Sequence, residues 1–345
     1  FIEKIEALAK KSYDLTKINE KTILWAGNNE RSEHYANTSC ERCGCEYDEK
    51  NKKVAHHDHI SGKFISTLCS KCNLKYQYKK FLPIYIHNLK GYDAHLFIKS
   101  LFYWGDENGV VSCIPNNEEQ YISFSKKIEV DTYLCTKTDK IKPVYYEIRF
   151  LDSFAVLNGS LDALVNNLSE NSTDVVALRK LFVNTSEAFP VDAEFLMMIR
   201  KGVYAYEYID NFERLMEYQL PKKKQFYSRL NNSHISVKDY ARALFVFKSF
   251  HCKSIMDYHK LYLKADVLLL ADIWHNFKKV CFANYTLDPT YYYSAPSLAW
   301  DSFLKITNVE LELISDYEKY MFVEDGIRGG LSQISGRFSE ANNKY

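Results

Sequence analysis

Two aspartates and a tyrosine have the types and spacing for phosphodiester chemistry. Asp93 lies in the run His87-Asn88-Leu89-Lys90-Gly91-Tyr92-Asp93-Ala94-His95-Leu96-Phe97, and Asp266 in Tyr262-Leu263-Lys264-Ala265-Asp266. Tyr262 and Asp266 are four residues apart, so on a helix they share one face. Carboxylates on separate elements can hold two cations roughly 4 Å apart, while a phenol beside them orients an attacking water. That set makes the chain a candidate two-metal nuclease.

A second group of residues points to metal binding of another kind. Of the nine cysteines, Cys40, Cys43, Cys45, Cys69 and Cys72 fall in one short segment. Cys40-x-x-Cys43 and Cys69-x-x-Cys72 each close a tight knuckle, and four thiolates satisfy tetrahedral zinc. Cys45 is a spare that can replace Cys43, although the two-residue gap favours Cys43. Cys113, Cys135, Cys252 and Cys281 are scattered and are expected to be small buried hydrophobes. Such usage fits a reducing compartment.

Between the knuckles stand His56-His57-Asp58-His59 and Ser61-Gly62-Lys63, and Asn73 follows Cys72. This segment resembles the endonuclease VII branch of the ββα-metal nucleases, with its Asp-His-Asp-His, Gly-Lys and Cys-x-x-Cys-Asn pattern. The resemblance implies His57 as the base that activates water and Asn73 as a ligand of a divalent cation. The first Asp of the pattern is His56 here, and an imidazole is a poor partner for hard Mg²⁺. The expectation is a structural zinc module, with a working endonuclease as the alternative.

The elements that position these residues follow from the apolar pattern. An apolar strand over 83–87 runs into a helix over 93–103, and 110–114 with 121–124 flank Asn116-Asn117 as a hairpin. A strand over 145–151 leads into Asp152-Ser153, and helices are expected through 181, over 245–250 and over 260–279. The basic run Lys222-Lys223-Lys224 reads as a solvated face. Asp192-Ala193-Glu194 and Asp316-Tyr317-Glu318 read as surface acids. At 345 residues the chain has room for two or three domains, and 46% hydrophobic with 26% charged residues is an ordinary globular composition. A net charge of +1 gives no polybasic signature. No apolar stretch approaches the ~20 residues of a membrane span. The first residues lack the pattern of a signal peptide. Both ends read as cut, as if the chain were an internal piece of something longer.

In order, these motifs resemble family B DNA polymerases of the protein-primed, organellar and viral, Polinton-like group. His87 to Asp93 is similar to the second exonuclease motif of that family, and Tyr262-x-x-x-Asp266 to the third. Ser160-Leu161-Asp162-Ala163-Leu164 resembles the motif that holds the single-stranded primer end. Lys201-Gly202-Val203-Tyr204 resembles the Lys-x-x-hydrophobic motif of the protein-primed branch, and Ile327-Arg328-Gly329-Gly330 the loop toward the polymerase domain. The resemblance implies an α/β, RNase H-like (DnaQ-type) 3′-5′ exonuclease fold, incomplete at its N-terminus, with an inserted ββα zinc module. The implied divisions are a helical remnant over 1–36, the zinc module over 37–77, the exonuclease domain over 78–285 and a linker toward the palm over 286–345.

It also implies roles. Asp93 and Asp266 would hold Mg²⁺ or Mn²⁺, Tyr262 would position water, and Lys201 would place positive charge near the scissile phosphate. Asn88, Tyr92, Ser160 and Leu161 would clamp the frayed strand, and Arg328, Gly329 and Gly330 would meet template DNA. Implied partners are DNA, dNTP and a terminal protein primer, with no membrane. The compartment stays open between nucleus, organelle and viral replication site. The first exonuclease motif and the palm aspartates are not found in the sequence, so the chain is expected neither to polymerise nor to proofread well alone. Two rival readings stand beside this one: a DNA endonuclease working through His57 and Asn73, and a non-catalytic zinc-dependent nucleic-acid-binding relic of a mobile element.

Overall fold

The computed structural model describes residues 2–17, 22–59, 61–75, 81–103, 111–117, 120–136, 138–170 and 172–327. The chain divides into two compact bodies, Phe1–Leu298 and Ala299–Tyr345. The first body opens with α1 (Ile2–Lys17) and α2 (Asn28–Ala36), followed by the hairpin β1 (Lys53–His57) and β2 (Phe64–Cys69) and the short α3 (Ser70–Lys75). In α1 the buried residues Ile5, Ala9 and Tyr13 recur every four positions, so one stripe of the helix meets the core.

A four-stranded mixed sheet forms the centre. It comprises β3 (Phe81–Ile86), β4 (Val111–Pro115), β5 (Tyr121–Cys135) and β6 (Lys140–Asp152), in the order β3-β6-β5-β4. β3 runs parallel to β6; α4 (Asp93–Tyr103) leads from β3 to β4, and β4, β5 and β6 form an antiparallel meander. Alternation along the strands sorts the two faces. Leu82, Ile84, Phe124, Ile148 and Phe150 join Phe97 of α4 and the buried stripe of α1 in one cluster. Phe124 and Phe150 stack with centroids 4.8 Å apart. Burying each such ring is worth roughly 1.5–3 kcal/mol. Lys126 is also buried, and its Nζ donates to the Leu101 carbonyl in the last turns of α4 at 2.9 Å. Burial pushes the Lys126 ammonium below its ordinary range, with Glu6 pulling it back.

Short helices follow: α5 (Phe154–Leu157), α6 (Leu161–Ser169), α7 (Val175–Leu181), α8 (Val183–Ala188), α9 (Asp192–Met198), α10 (Phe212–Leu215) and α11 (Val237–Ser249). They surround the long α12 (Ile255–Tyr285), and Val165, Phe182, Phe195 and Leu269 form the dry centre of this lobe. Asp272 on α12 is fully buried, yet its carboxylate accepts four hydrogen bonds. These come from the Asn184 backbone N–H (2.7 Å), Asn184 Nδ2 (2.8 Å), the Thr185 N–H (3.0 Å) and Thr185 Oγ1 (2.6 Å). It thus serves the open N–H groups at the start of α8 from a distant helix. Further along α12, Trp274 packs on Tyr85 of the opposite sheet face at 4.1 Å. One helix therefore belongs to both the lobe and the sheet.

The second body includes most of α13 (Ala295–Thr307) and all of α14 (Tyr317–Gly326). Asp316 caps α14 through the Lys319 N–H at 2.9 Å, which accounts for one of the acids in the string 316–318. Among the described residues, no helix is long and apolar enough to cross a membrane.

Several local expectations change. The strands around residue 135 extend far beyond the apolar runs, to Cys135 and from Lys140, because they pair along a projecting arm where Leu134 and Ile141 are exposed. Of the four scattered cysteines only Cys281 is buried. Cys113 is exposed on β4, an edge strand among the described residues, and Cys135 and Cys252 are half-buried.

Candidate functional site

The turn between β3 and α4 is built on a carboxylate from the end of β6. Buried Asp152 accepts the backbone N–H groups of Asn88 (2.8 Å), Lys90 (3.1 Å) and Phe154 (2.9 Å). Asn88 takes a left-handed φ of 62°, a conformation Asn tolerates better than most residues. A Cβ at Gly91 would lie 2.9 Å from Asn88 Nδ2, so the absence of a side chain there lets the Asn88 amide fold back over the turn. Asn88 and Tyr92 are exposed, Tyr92 by 66%, and Asp93 is half-buried at the first position of α4. A carboxylate there is favoured by the helix dipole.

His87 ties this turn to the next loop. Its Nδ1 lies 3.0 Å from Ser153 Oγ and its Nε2 2.9 Å from the Gly159 carbonyl. Burial holds the imidazole below its ordinary range, partly offset by the Gly159 carbonyl and Asp152, while Lys201 lowers it further. The neutral ring then carries its proton on Nε2, which donates to Gly159, and accepts from Ser153. Ser160 caps α6, its Oγ accepting the Ala163 N–H at 3.2 Å, and Leu161 is buried in the lobe.

Replacing Asp152 by alanine is expected to cost about 3 kcal/mol, since it strands three N–H groups. The lower urea midpoint would be accompanied by faster hydrogen exchange at Asn88 and Lys90. Unchanged exchange at those amides would refute this account of the turn.

The second half of the site lies on α12. Ser254 starts the helix by accepting the Asp257 N–H, while Asp257 Oδ2 accepts the Lys253 N–H at 2.9 Å. One turn further, the Tyr262 hydroxyl lies 2.7 Å from the Tyr206 hydroxyl. Tyr204 stacks on the Tyr262 ring at 4.9 Å and shares a 2.7 Å hydrogen bond with His259 Nδ1. Gly202 lies against the same ring, where a Cβ would sit 2.9 Å from Tyr262 Cδ2.

Asp266 follows on the same face, and its Oδ1 is buried with no hydrogen-bond partner among the described residues. Burial pushes this carboxyl above the usual carboxylate range, against the pull of the Tyr262 hydroxyl and the Lys201 charge. Burial also pushes the Tyr262 phenol far up, reinforced by Tyr206 and Asp266, so it keeps its proton. The orphaned Oδ1 is a ligand atom of the kind that hard divalent cations prefer.

The Lys201 charge acts on both His87, beside the β3 turn, and Asp266 on α12. Among the described residues, no hydrogen bond or ion pair joins Asp93 to Asp266 or Tyr262. Arg328, Gly329 and Gly330 lie outside the described residues. Asp192 pairs with Arg179 at 2.6 Å and is thereby held on the surface.

In the cysteine segment, the Sγ atoms of Cys40, Cys43, Cys69 and Cys72 lie within 4.8 Å of one another, a cluster that could hold a metal such as zinc. Cys40, Cys69 and Cys72 are buried and Cys43 is exposed. Burial pushes the Cys40 thiol up, but hydrogen bonds at the backbone of Cys69, Cys43 and Arg42 and to the Cys43 side chain bring it down to about 6. Nearby, His56 is buried with Nδ1 2.9 Å from Asn73 Oδ1, and the His57 ring stacks on His59 at 4.7 Å. The Asn73 oxygen expected to hold a cation is thus engaged by an imidazole.

The sequence profile of DNA polymerase type B, organellar and viral, matches residues 71–345, well over half of the chain. The chain belongs to that family. No curated protein and no solved structure matches it. Membership makes this a chain of a DNA polymerase, concerned with DNA synthesis and in contact with DNA. The matched region begins inside α3, so it takes in Cys72 and Asn73 and leaves Cys40, Cys43 and Cys69 outside.

Two residues that position the polymerase's candidate site escaped the sequence reading. Asp152 appeared there only as the end of a strand. Arg242 of α11 was not singled out, yet its guanidinium donates to the carbonyls of Lys201 (2.9 Å), Met197 (3.1 Å) and Arg200 (2.9 Å). It caps the end of α9 and fixes the backbone that presents Lys201. The only sequence signal for either is a charge in an otherwise apolar setting.

Proposed function

We propose that this polymerase chain carries the later part of a two-metal 3′-5′ exonuclease site that trims single-stranded primer ends. The orphaned Oδ1 of Asp266, on a helix face shared with Tyr262 and within the field of Lys201, carries the reading. Asp93 and Asp266 would hold Mg²⁺ or Mn²⁺, which supply charge that activates water and neutralises the leaving oxygen. Tyr262, protonated and braced by Tyr204 and Gly202, orients the water. Lys201 attracts the terminal phosphate, and exposed Asn88 and Tyr92 hold the frayed strand by hydrogen bonding and stacking. Ser160 and Leu161 serve the clamp by fixing the loop that enters α6. The fold that would house this site is an RNase H-like exonuclease domain over 78–285, preceded by a zinc module over 37–77 and followed by a linker over 286–345. Arg328 to Gly330 would meet template in that linker, and dNTP and a terminal protein primer belong to the activity of the whole polymerase.

The test compares two substrates for this polymerase with Mn²⁺: linear single-stranded DNA labelled at its 5′ end, and a circle of the same sequence. The expected outcome is progressive shortening of the linear strand from its 3′ end with the circle intact. Cutting of the circle that disappears in His57→Ala would overturn the reading in favour of an endonuclease. A second measurement bears on geometry. Gly202→Ala is expected to reduce the trimming rate about a hundredfold by displacing the Tyr262 ring, with unchanged affinity for DNA and little loss of stability. A wild-type rate would show that the Tyr262 position is not used.

A further inference from the structure

Five thiols crowd a site that needs four. Cys43 Sγ lies 3.9 Å from Cys69 Sγ, close to the edge of about 3.8 Å that a tetrahedron with zinc–sulfur bonds of about 2.3 Å requires. Cys45 Sγ lies only 3.3 Å from Cys43 Sγ. Two ligands of one tetrahedral ion would stand further apart, so these two sulfurs do not both ligate it in this arrangement. Gly44 between them takes a left-handed φ of 69°, which turns both side chains to one side of the knuckle. The turn is closed by the Gly44 N–H donating to the Cys40 carbonyl at 2.7 Å and the Cys40 N–H donating to the Cys45 carbonyl at 2.8 Å. Cys45 packs against buried Cys40, Leu68, Cys69 and Cys72 and is half-buried, whereas Cys43 faces solvent.

We propose that Cys43 and Cys45 are interchangeable fourth ligands of a single zinc ion otherwise held by Cys40, Cys69 and Cys72. In the exchange one zinc–sulfur bond breaks as another forms, and the proton released by the incoming thiol is taken up by the outgoing thiolate. No oxidant is involved, and the charge of the site is unchanged. The exposed knuckle can therefore lose Cys43 to modification and still keep its cation.

Cobalt substitution of the whole chain tests this, because the intensity of the thiolate-to-cobalt band counts sulfur ligands. Cys43→Ser and Cys45→Ser are each expected to bind one metal per chain with the wild-type band. The double variant is expected to lose one thiolate's share of the intensity. A Cys43→Ser band as weak as that of the double variant would overturn the proposal. Zinc-loaded wild-type protein treated with iodoacetamide gives a measurement that needs no variant. Within the five-thiol segment, one label per chain divided between Cys43 and Cys45 is expected. Label found on Cys45 alone would mean a fixed Cys43 ligand and no exchange.

Discussion

Replacing Asp266 by asparagine is expected to slow 3′-end trimming about a thousandfold, the several kcal/mol that a metal-held carboxylate contributes to charge stabilisation. The same substitution should make metal-free protein more resistant to heat at neutral pH. Burial raises the Asp266 carboxyl above its usual range, with Tyr262 and Lys201 pulling it back only in part. A group whose folded value is raised stabilises the fold fully below its unfolded pKa and loses that contribution as pH rises through the folded value. As pH rises through the raised folded value, the charge on buried Asp266 weighs on the fold, and the neutral amide carries no such charge. The gain should vanish below about pH 4, where the aspartate is neutral in both states. Adding Mn²⁺ should stabilise the wild type and not the variant. Melting scans across pH, with and without Mn²⁺, read all three effects. An asparagine variant that trims at the wild-type rate would end the assignment of Asp266.

The second large effect concerns the cysteine segment. Removing zinc with a chelator, or replacing Cys69 by serine, is expected to unfold the β1–β2 hairpin and α3 while the mixed sheet survives. The hairpin has a small core, Leu68 with the cysteines themselves, so a cation bound there would supply most of its stability. Structural zinc typically contributes about 10 kcal/mol or more at neutral pH. Hydrogen exchange reads the result: the amides of Val54, Ala55, Thr67 and Leu68 should lose protection, while those of Phe150 and Leu151 keep it. Retained protection in the hairpin after zinc removal would mean that it folds on packing alone.

Features carried by regular spacing could be read from the sequence. Tyr262 and Asp266 follow helical periodicity, and the paired cysteines follow the geometry of a knuckle. Leu82, Ile84 and Ile86 alternate as a strand with one face in the core must. Other features depend on partners far away along the chain. Asp152 meets Asn88 across 64 residues and Asp272 meets Asn184 across 88, and in each case it binds backbone N–H groups, which no side-chain pattern displays. Arg242 likewise binds backbone carbonyls. The long β5–β6 arm was hidden because its far end is exposed, and the apolar residues there, Leu134 and Ile141, face no core. Cys45 could be read from the sequence as a spare for Cys43, and its 3.3 Å approach to Cys43 sets the two sulfurs side by side.

Helix α12 sets the angular phase of the candidate site. Asp272 is fastened to α8 and Trp274 to Tyr85 of the sheet, so the rotation of the helix is fixed downstream of Tyr262 and Asp266. Each residue of an α-helix turns the chain by about 100° and advances it about 1.5 Å. A single residue inserted between Asp266 and Asp272 would swing Tyr262 and Asp266 together away from Lys201. Two full turns, about seven residues, would restore the direction but displace both groups by about 10 Å. This stretch can therefore vary in composition, as at exposed Val267, but not in length. Its residue count acts as a gauge that keeps the Tyr262 and Asp266 face aimed at Lys201.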